Sequence, residues 1–170
     1  FDQYFHIFPF NSIDKNSIGF DMGCGNGRWA KIFSDRVKTL NCIEPSEAAI
    51  LVAKNNLSKK ANIKFICSSV DETNIPESSQ DFGYCLGVLH HIPNTYDGIV
   101  NCSKLLKPGA PFLMYLYYNF ENKPYWYSLL WKFSNIIRML TSRLPFSLKL
   151  LISYLFALFI YFPFSRLALV

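Results

Sequence analysis

The sequence predicts an α/β protein: an open, doubly wound, mostly parallel sheet with helices on both faces, followed by a helical, aromatic-rich C-terminal region. Two observations predict the sheet. Short apolar runs bounded by Gly, Asn, Pro or Ser alternate with longer mixed segments from Ser17 to Tyr118, and continuous apolar runs of that length fit strands buried on both faces of a parallel sheet. The 170 residues suit one domain, and 51% hydrophobic against 17% charged residues provide ample apolar surface to bury, which excludes a disordered chain. A third observation marks the tail: residues 125–170 hold 12 aromatics with basic residues set between them.

Taken in order, residues 18–22, 40–43, 63–67, 82–87 and 111–117 read as strands. Residues 28–36, 46–56 and 95–106 read as the helices between them. Ser46 before Glu47 places a cap and a negative charge at a helix start. Lys107-Pro108-Gly109 supplies a cation, a breaker and a flexible residue where the last of these helices stops. The opening segment Tyr4-Phe5-His6-Ile7-Phe8-Pro9-Phe10 fits either an aromatic lid or a helix packed on the sheet. Residues 1–124 form the expected domain, and 125–170 a separate helical segment.

Charge and cysteine usage narrow the class. Residues 1–124 carry 12 basic and 12 acidic residues, so the net charge of +5 belongs entirely to Lys132, Arg138, Arg143, Lys149 and Arg166. A nucleic-acid binder would carry its basic surface on the folded domain, so no nucleic-acid partner is expected. Cys24, Cys42, Cys67, Cys85 and Cys102 are odd in number and widely spaced, a pattern that fits neither a disulfide framework nor a zinc site. A reducing, cytoplasmic setting and no metal follow. The chain opens on Phe and shows no basic n-region before a small-residue cleavage site, so it reads as a fragment of a longer protein without a secretory signal.

The strongest local signal is Asp21-Met22-Gly23-Cys24-Gly25-Asn26-Gly27-Arg28, directly after the first strand. Glycines there let the backbone approach a ligand that any side chain would block. A dinucleotide fingerprint needs its third glycine one place later, where Arg28 stands, and a Walker loop needs Gly-Lys-Ser/Thr. At the end of the second strand, Glu44-Pro45-Ser46 sets a carboxylate with two acceptor oxygens where ribose hydroxyls would lie.

Asp21-x-Gly23-x-Gly25-x-Gly27 followed by Glu44 resembles the class I, Rossmann-like S-adenosylmethionine-dependent methyltransferases. The resemblance extends through Ile63-Lys64-Phe65-Ile66, through Asp81 to Pro93, and through Leu105-Leu106-Lys107-Pro108-Gly109-Ala110. It implies methyl transfer from S-adenosylmethionine to a small-molecule or lipid- or sugar-linked acceptor. It also implies cofactor contacts at Asp21, Gly23, Cys24, Gly25, Gly27, Glu44, Pro45, Ser69, Val70 and Gly87. Many members carry an acid after the third strand that accepts from the adenine amino group; Ser69 stands there instead, and Asp71 either substitutes for it or caps the next turn. His90 and His91 follow the fourth strand, where a proton acceptor near neutrality would serve; His90 is the candidate base, and His91 is expected to pack inward. Tyr115 and Tyr117 are expected in the core, and Tyr118 with Asn119 at the acceptor. A nicotinamide-dependent oxidoreductase and a non-catalytic, membrane-associated cofactor binder are the alternatives.

The family's sheet usually ends in two further strands, which residues 119–170 are not expected to supply. Leu150–Phe162 is uncharged, but Pro163 is expected to end it, leaving the run short of the roughly 20 residues a bilayer span needs. A cap over the acceptor is the first reading of the tail. A helix on an anionic membrane surface, at the inner face of the membrane, and a dimer surface are the others.

Overall fold

A computed structural model describes residues 2–117 and 122–168. The chain divides into two units, Phe1–Tyr117 and Tyr118–Val170.

The first unit is built on five strands: β1 Ile18–Met22, β2 Thr39–Ile43, β3 Ile63–Ile66, β4 Phe82–Leu86 and β5 Phe112–Tyr115. They lie in the order β3-β2-β1-β4-β5, and every pairing is parallel. The chain winds outward from β1 in both directions, so the order reverses between β1 and β4. Such a switch point opens a crevice at the carboxyl ends of the strands.

Alternation along the strands separates two cores. Phe82 and Tyr84 of β4 join Leu40 and Cys42 on one face, together with Phe33. Phe20, Met22, Ile43 and Cys85 face the other way, against Leu89, Cys102 and Leu105. Helix α1, Asp2–Phe5, belongs to the first face. The opening segment is packed on the sheet, because Phe5 and Phe8 are buried against Phe33 and their rings also meet Tyr84 and Phe82.

The predicted helix over 28–36 is shorter than expected. Residues 27–29 form a turn, α2 spans Ala30–Phe33, and a 3-10 turn covers Ser34–Arg36. No side chain caps it; Lys31 N–H donates to Gly27 O at 3.1 Å and Ile32 and Phe33 N–H to Trp29 O at 3.0 and 3.2 Å, so the preceding turn supplies its first acceptors. Helix α3, Glu47–Asn56, is capped by Ser46, whose hydroxyl accepts from Ala49 N–H at 3.3 Å. Helix α4, Thr95–Leu105, is capped by Asn94, which accepts from Tyr96 and Asp97 N–H at 3.1 and 3.3 Å.

The second unit is helical. Helix α5 spans Tyr125–Ser142. Helix α6, Phe146–Phe156, runs through a π turn, Ala157–Tyr161, into α7, Phe162–Leu167. Pro163 therefore does not end the helix. It sits in the first turn of α7, and the π turn before it shifts the hydrogen-bond register, so the ladder does not need the missing proline N–H. The continuous stretch Phe146–Leu167 is 22 residues long, enough by length and composition to cross a membrane.

Candidate functional site

The glycine loop is held at the switch point by main-chain hydrogen bonds. Gly23 and Cys24 N–H both donate to Ile43 O at the end of β2, at 2.8 and 3.1 Å, and Gly27 N–H donates to Cys24 O at 2.9 Å. Gly23, Gly25 and Gly27 all adopt positive φ, but for different ends. A Cβ on Gly23 would meet Val88 at 2.3 Å, and one on Gly27 would meet Leu57 at 2.4 Å. These two glycines let the loop press against the fold. A Cβ on Gly25 or Gly87 would meet nothing within 4 Å, so those two present bare backbone to open space. Cys24 turns its side chain into the core, leaving only its backbone on the loop.

Glu44 ties the two strand ends together. Its Oε2 accepts from Gly25 N–H and its Oε1 from Ser46 N–H, each at 3.1 Å. A carboxylate fixed on both oxygens keeps lone pairs for two hydroxyl donors. Pro45 beside it is exposed.

Asp21 lies beneath the loop, in register between Cys42 of β2 and Tyr84 of β4. It is 2% exposed, and among the described residues neither its Oδ2 nor the Tyr84 hydroxyl makes a well-formed hydrogen bond. Burial pushes the Asp21 carboxyl up to about 7; the nearby Tyr84 hydroxyl draws it back, and the Glu44 charge adds to the rise. A buried carboxylate with one oxygen unsatisfied, at the end of β1 where the glycine loop begins, suits a ligand with a cationic amino group, and Glu44 suits a ribose diol. The residues present fit S-adenosylmethionine, with Asp21 and the glycine loop holding its amino-acid part and Glu44 its sugar.

The third contact region is less open. The Ser69 hydroxyl donates to Glu72 Oε2 at 3.2 Å, and the Val70 side chain is buried in the second core. Ser69, Val70 and Asp71 line a cavity of about 600 Å³ with Asn94 and Asp97.

Beyond β4, a 3-10 turn, Leu89–His91, buries Leu89, half-buries His90 and leaves His91 exposed. His91 is exposed rather than packed inward, because the buried position of this short turn is taken by Leu89. The His90 ring is the covered one: it packs, tilted, against Tyr117 at 4.0 Å and His91 at 4.1 Å. Among the described residues neither of its nitrogens has a hydrogen-bond partner, and burial, helped by His91, holds its pKa below the ordinary histidine value.

Tyr115 and Tyr117 are not core residues. They are 41% and 65% exposed, because β5 lies at an edge of the sheet. With Tyr4 and Trp29 they form a chain of ring contacts: Trp29 to Tyr4 at 5.4 Å, Tyr4 to Tyr115 at 5.6 Å and Tyr115 to Tyr117 at 6.1 Å. This wall joins the loop at Gly87, whose N–H donates to Tyr115 O at 2.9 Å. Tyr4 lies in the segment that fitted an aromatic lid and Tyr115 was expected in the core; Trp29 was not legible as a site residue, since its meeting with Tyr4 depends on α1 folding back across the sheet. Tyr118 and Asn119 lie outside the described residues.

A family model described as "Methyltransferase domain" matches residues 20–114. The chain belongs to this methyltransferase family. It is 29% identical over 116 residues to a ubiquinone biosynthesis O-methyltransferase of Coxiella burnetii (strain Dugway 5J108-111), covering 68% of this chain and 49% of that protein. The chain thus spans about half the length of the curated relatives it matches. Among solved structures, the YcgJ protein of Bacillus subtilis superposes with a TM-score of 0.58 at 21% identity, over 60% of this chain and 44% of that one. Phosphoethanolamine N-methyltransferase 1 of Haemonchus contortus, in complex with phosphoethanolamine and S-adenosylhomocysteine, does so with a TM-score of 0.53 at 15% identity, over 56% and 21%. The fold is the Rossmann-like methyltransferase fold, and neither the nicotinamide reading nor the non-catalytic reading is favoured.

Proposed function

We propose that this domain transfers a methyl group from S-adenosylmethionine to an oxygen of a small, planar acceptor in the cytoplasm. The observation that carries the cofactor half is the buried Asp21 carboxyl with an unsatisfied Oδ2, together with Glu44 fixed on Gly25 N–H of the glycine loop. For the acceptor half, support comes from the aromatic wall of Tyr4, Tyr115 and Tyr117, which offers ring faces to a planar molecule, and from the O-methyltransferase name of the curated relatives. Four of the five free thiols are buried, which agrees with a reducing compartment. Lipid-linked acceptors fall within the same class.

When bound, S-adenosylmethionine supplies an electrophilic methyl group on a sulfonium. The protein's own part is mostly placement, since in-line displacement rewards a nucleophile held close and aligned. The wall orients the acceptor ring. His90, kept neutral by its covered ring, takes the proton from the acceptor hydroxyl.

The test is labelled-methyl transfer to a panel of hydroxylated aromatic compounds, paired with calorimetric titration of S-adenosylhomocysteine. His90→Ala is expected to lower turnover about a hundredfold with product affinity unchanged. Glu44→Ala is expected to weaken S-adenosylhomocysteine by about 2–3 kcal/mol. Unchanged product affinity in Glu44→Ala would overturn the cofactor assignment, and unchanged turnover in His90→Ala would remove the base.

A further inference from the structure

The second unit carries a feature the methyltransferase site does not use. None of the side chains described in α5, α6 and α7 is buried. Trp126 is 60% exposed and Phe159 69%. Apolar surface on that scale marks a contact surface, and the two parts of the unit differ in a way that names the contact.

Helix α5 is amphipathic. Ser128, Lys132, Asn135, Arg138 and Ser142 fall at spacings of three and four, one polar stripe, and Arg138 donates to Asn135 Oδ1 at 2.9 Å along it. Tyr125, Trp126, Tyr127 and Trp131 gather in its first half, the amphipathic rings favoured at the boundary between lipid and water. The stretch Phe146–Leu167 is different. Residues 150–165 are uncharged, Lys149 and Arg166 stand near the two ends, and its length of 22 residues corresponds to about 33 Å of helix against a hydrocarbon core of about 30 Å. It has no polar face. A helix of that kind belongs in a core or among acyl chains.

An open groove of about 1070 Å³ lies within this unit. Arg138 and Lys149 line it, and Ile152, Phe156, Ile160 and Phe164 extend it as an apolar trough. The unit carries five basic residues and no acid over 125–170. That charge selects an anionic occupant and opposes a second copy, which would bring five more like charges.

We propose that α5–α7 dock the protein on an anionic phospholipid bilayer. Helix α5 lies in the headgroup plane, Phe146–Leu167 sits among the acyl chains, and one lipid phosphate meets Arg138 and Lys149 with its chain along the trough. Lys and Arg at an anionic surface and aromatic residues at the interface each add to binding.

The experiment is flotation of the full 170-residue chain with phosphatidylcholine vesicles, with and without phosphatidylglycerol. Binding is expected only with phosphatidylglycerol, together with a blue shift of tryptophan emission in a Trp29→Phe background. R138A/K149A is expected to bind about thirtyfold more weakly, R138K/K149R to recover most of the loss, and both to keep wild-type affinity for S-adenosylhomocysteine. That titration separates this proposal from the methyltransferase reading, since the two fail independently. Equal binding to neutral vesicles would overturn the phosphate site. Absence of binding to either vesicle, or a concentration-dependent dimer that anionic vesicles do not dissociate, would overturn the bilayer as occupant.

Discussion

The two units are both rich in large apolar side chains and use them in opposite ways. In the first, Phe33 and Phe82 are 0% exposed, because α1, α2 and α3 close one face of the sheet as α4 closes the other. In the second, Phe146, Phe159 and Phe164 are 79%, 69% and 67% exposed. The difference is topological. A parallel sheet has two faces that each demand a cover, whereas a lone helix that is apolar on all sides has no second surface of its own to close on. Hydrophobic composition measures how much surface seeks a partner, not whether the chain supplies one.

That contrast is broken most directly in the buried ring cluster, where the largest effect is expected. Phe33→Ala, among Phe5, Phe8, Phe82 and Tyr84, is expected to destabilise the protein by about 3–5 kcal/mol in urea melts. A loss under 1 kcal/mol, on the order of a surface change, would mean the first core is not packed as described. The glycine loop sharpens the contrast between packing and binding. Gly27→Ala forces a Cβ against Leu57 at positive φ and is expected to cost about 2–4 kcal/mol of stability. Gly25→Ala meets nothing nearby; it is expected to cost about 1 kcal/mol of stability yet weaken S-adenosylhomocysteine by more than about tenfold. Equal stability losses in the two variants would deny the division of labour.

Asp21 gives a pH test with a definite sign. Its carboxyl is raised by burial to about 7 in the folded chain and returns to the ordinary acid range when unfolded. Between about pH 4 and 7 the folded state therefore holds more protons than the unfolded one, so the stability this group contributes is present at low pH and is lost as pH rises through that window. Asp21→Asn is expected to melt higher than wild type at pH 8 and about level with it at about pH 4. A cationic ligand favours the ionised carboxylate, so wild-type affinity for S-adenosylmethionine is expected to rise with pH up to about 7, by at most about tenfold per unit. A flat profile across that range would separate Asp21 from the cofactor. The smallest effect belongs to the tail: Phe159→Ala is expected to change stability by less than about 0.5 kcal/mol, while lowering partition onto anionic vesicles by about tenfold or more.

Much of the first unit was legible in residue order. Apolar runs located all five strands to within a residue or two at most ends, because strands buried on both faces cannot hide their composition. Asp21, the three glycines and Glu44 stood out because bare backbone and a strand-end acid are local requirements. Tyr115 and Tyr117 misled for a physical reason. Period-two alternation says which residues share a face, but not whether the strand sits at an edge where that face meets water. Pro163 misled because a breaker is judged against an α ladder, and the π turn before it changed the ladder.

Residue order alone determined the α/β class, the cofactor cradle and the concentration of positive charge in the last third of the chain, since each is set by neighbours along the backbone. Tertiary structure decided that Asp21 is buried with one oxygen unsatisfied, that His90 is covered by Tyr117 while His91 is not, and that Tyr4 reaches Trp29 and Tyr115. Those facts depend on segments far apart in sequence meeting at the carboxyl edge of the sheet, and no local pattern encodes which of them will touch.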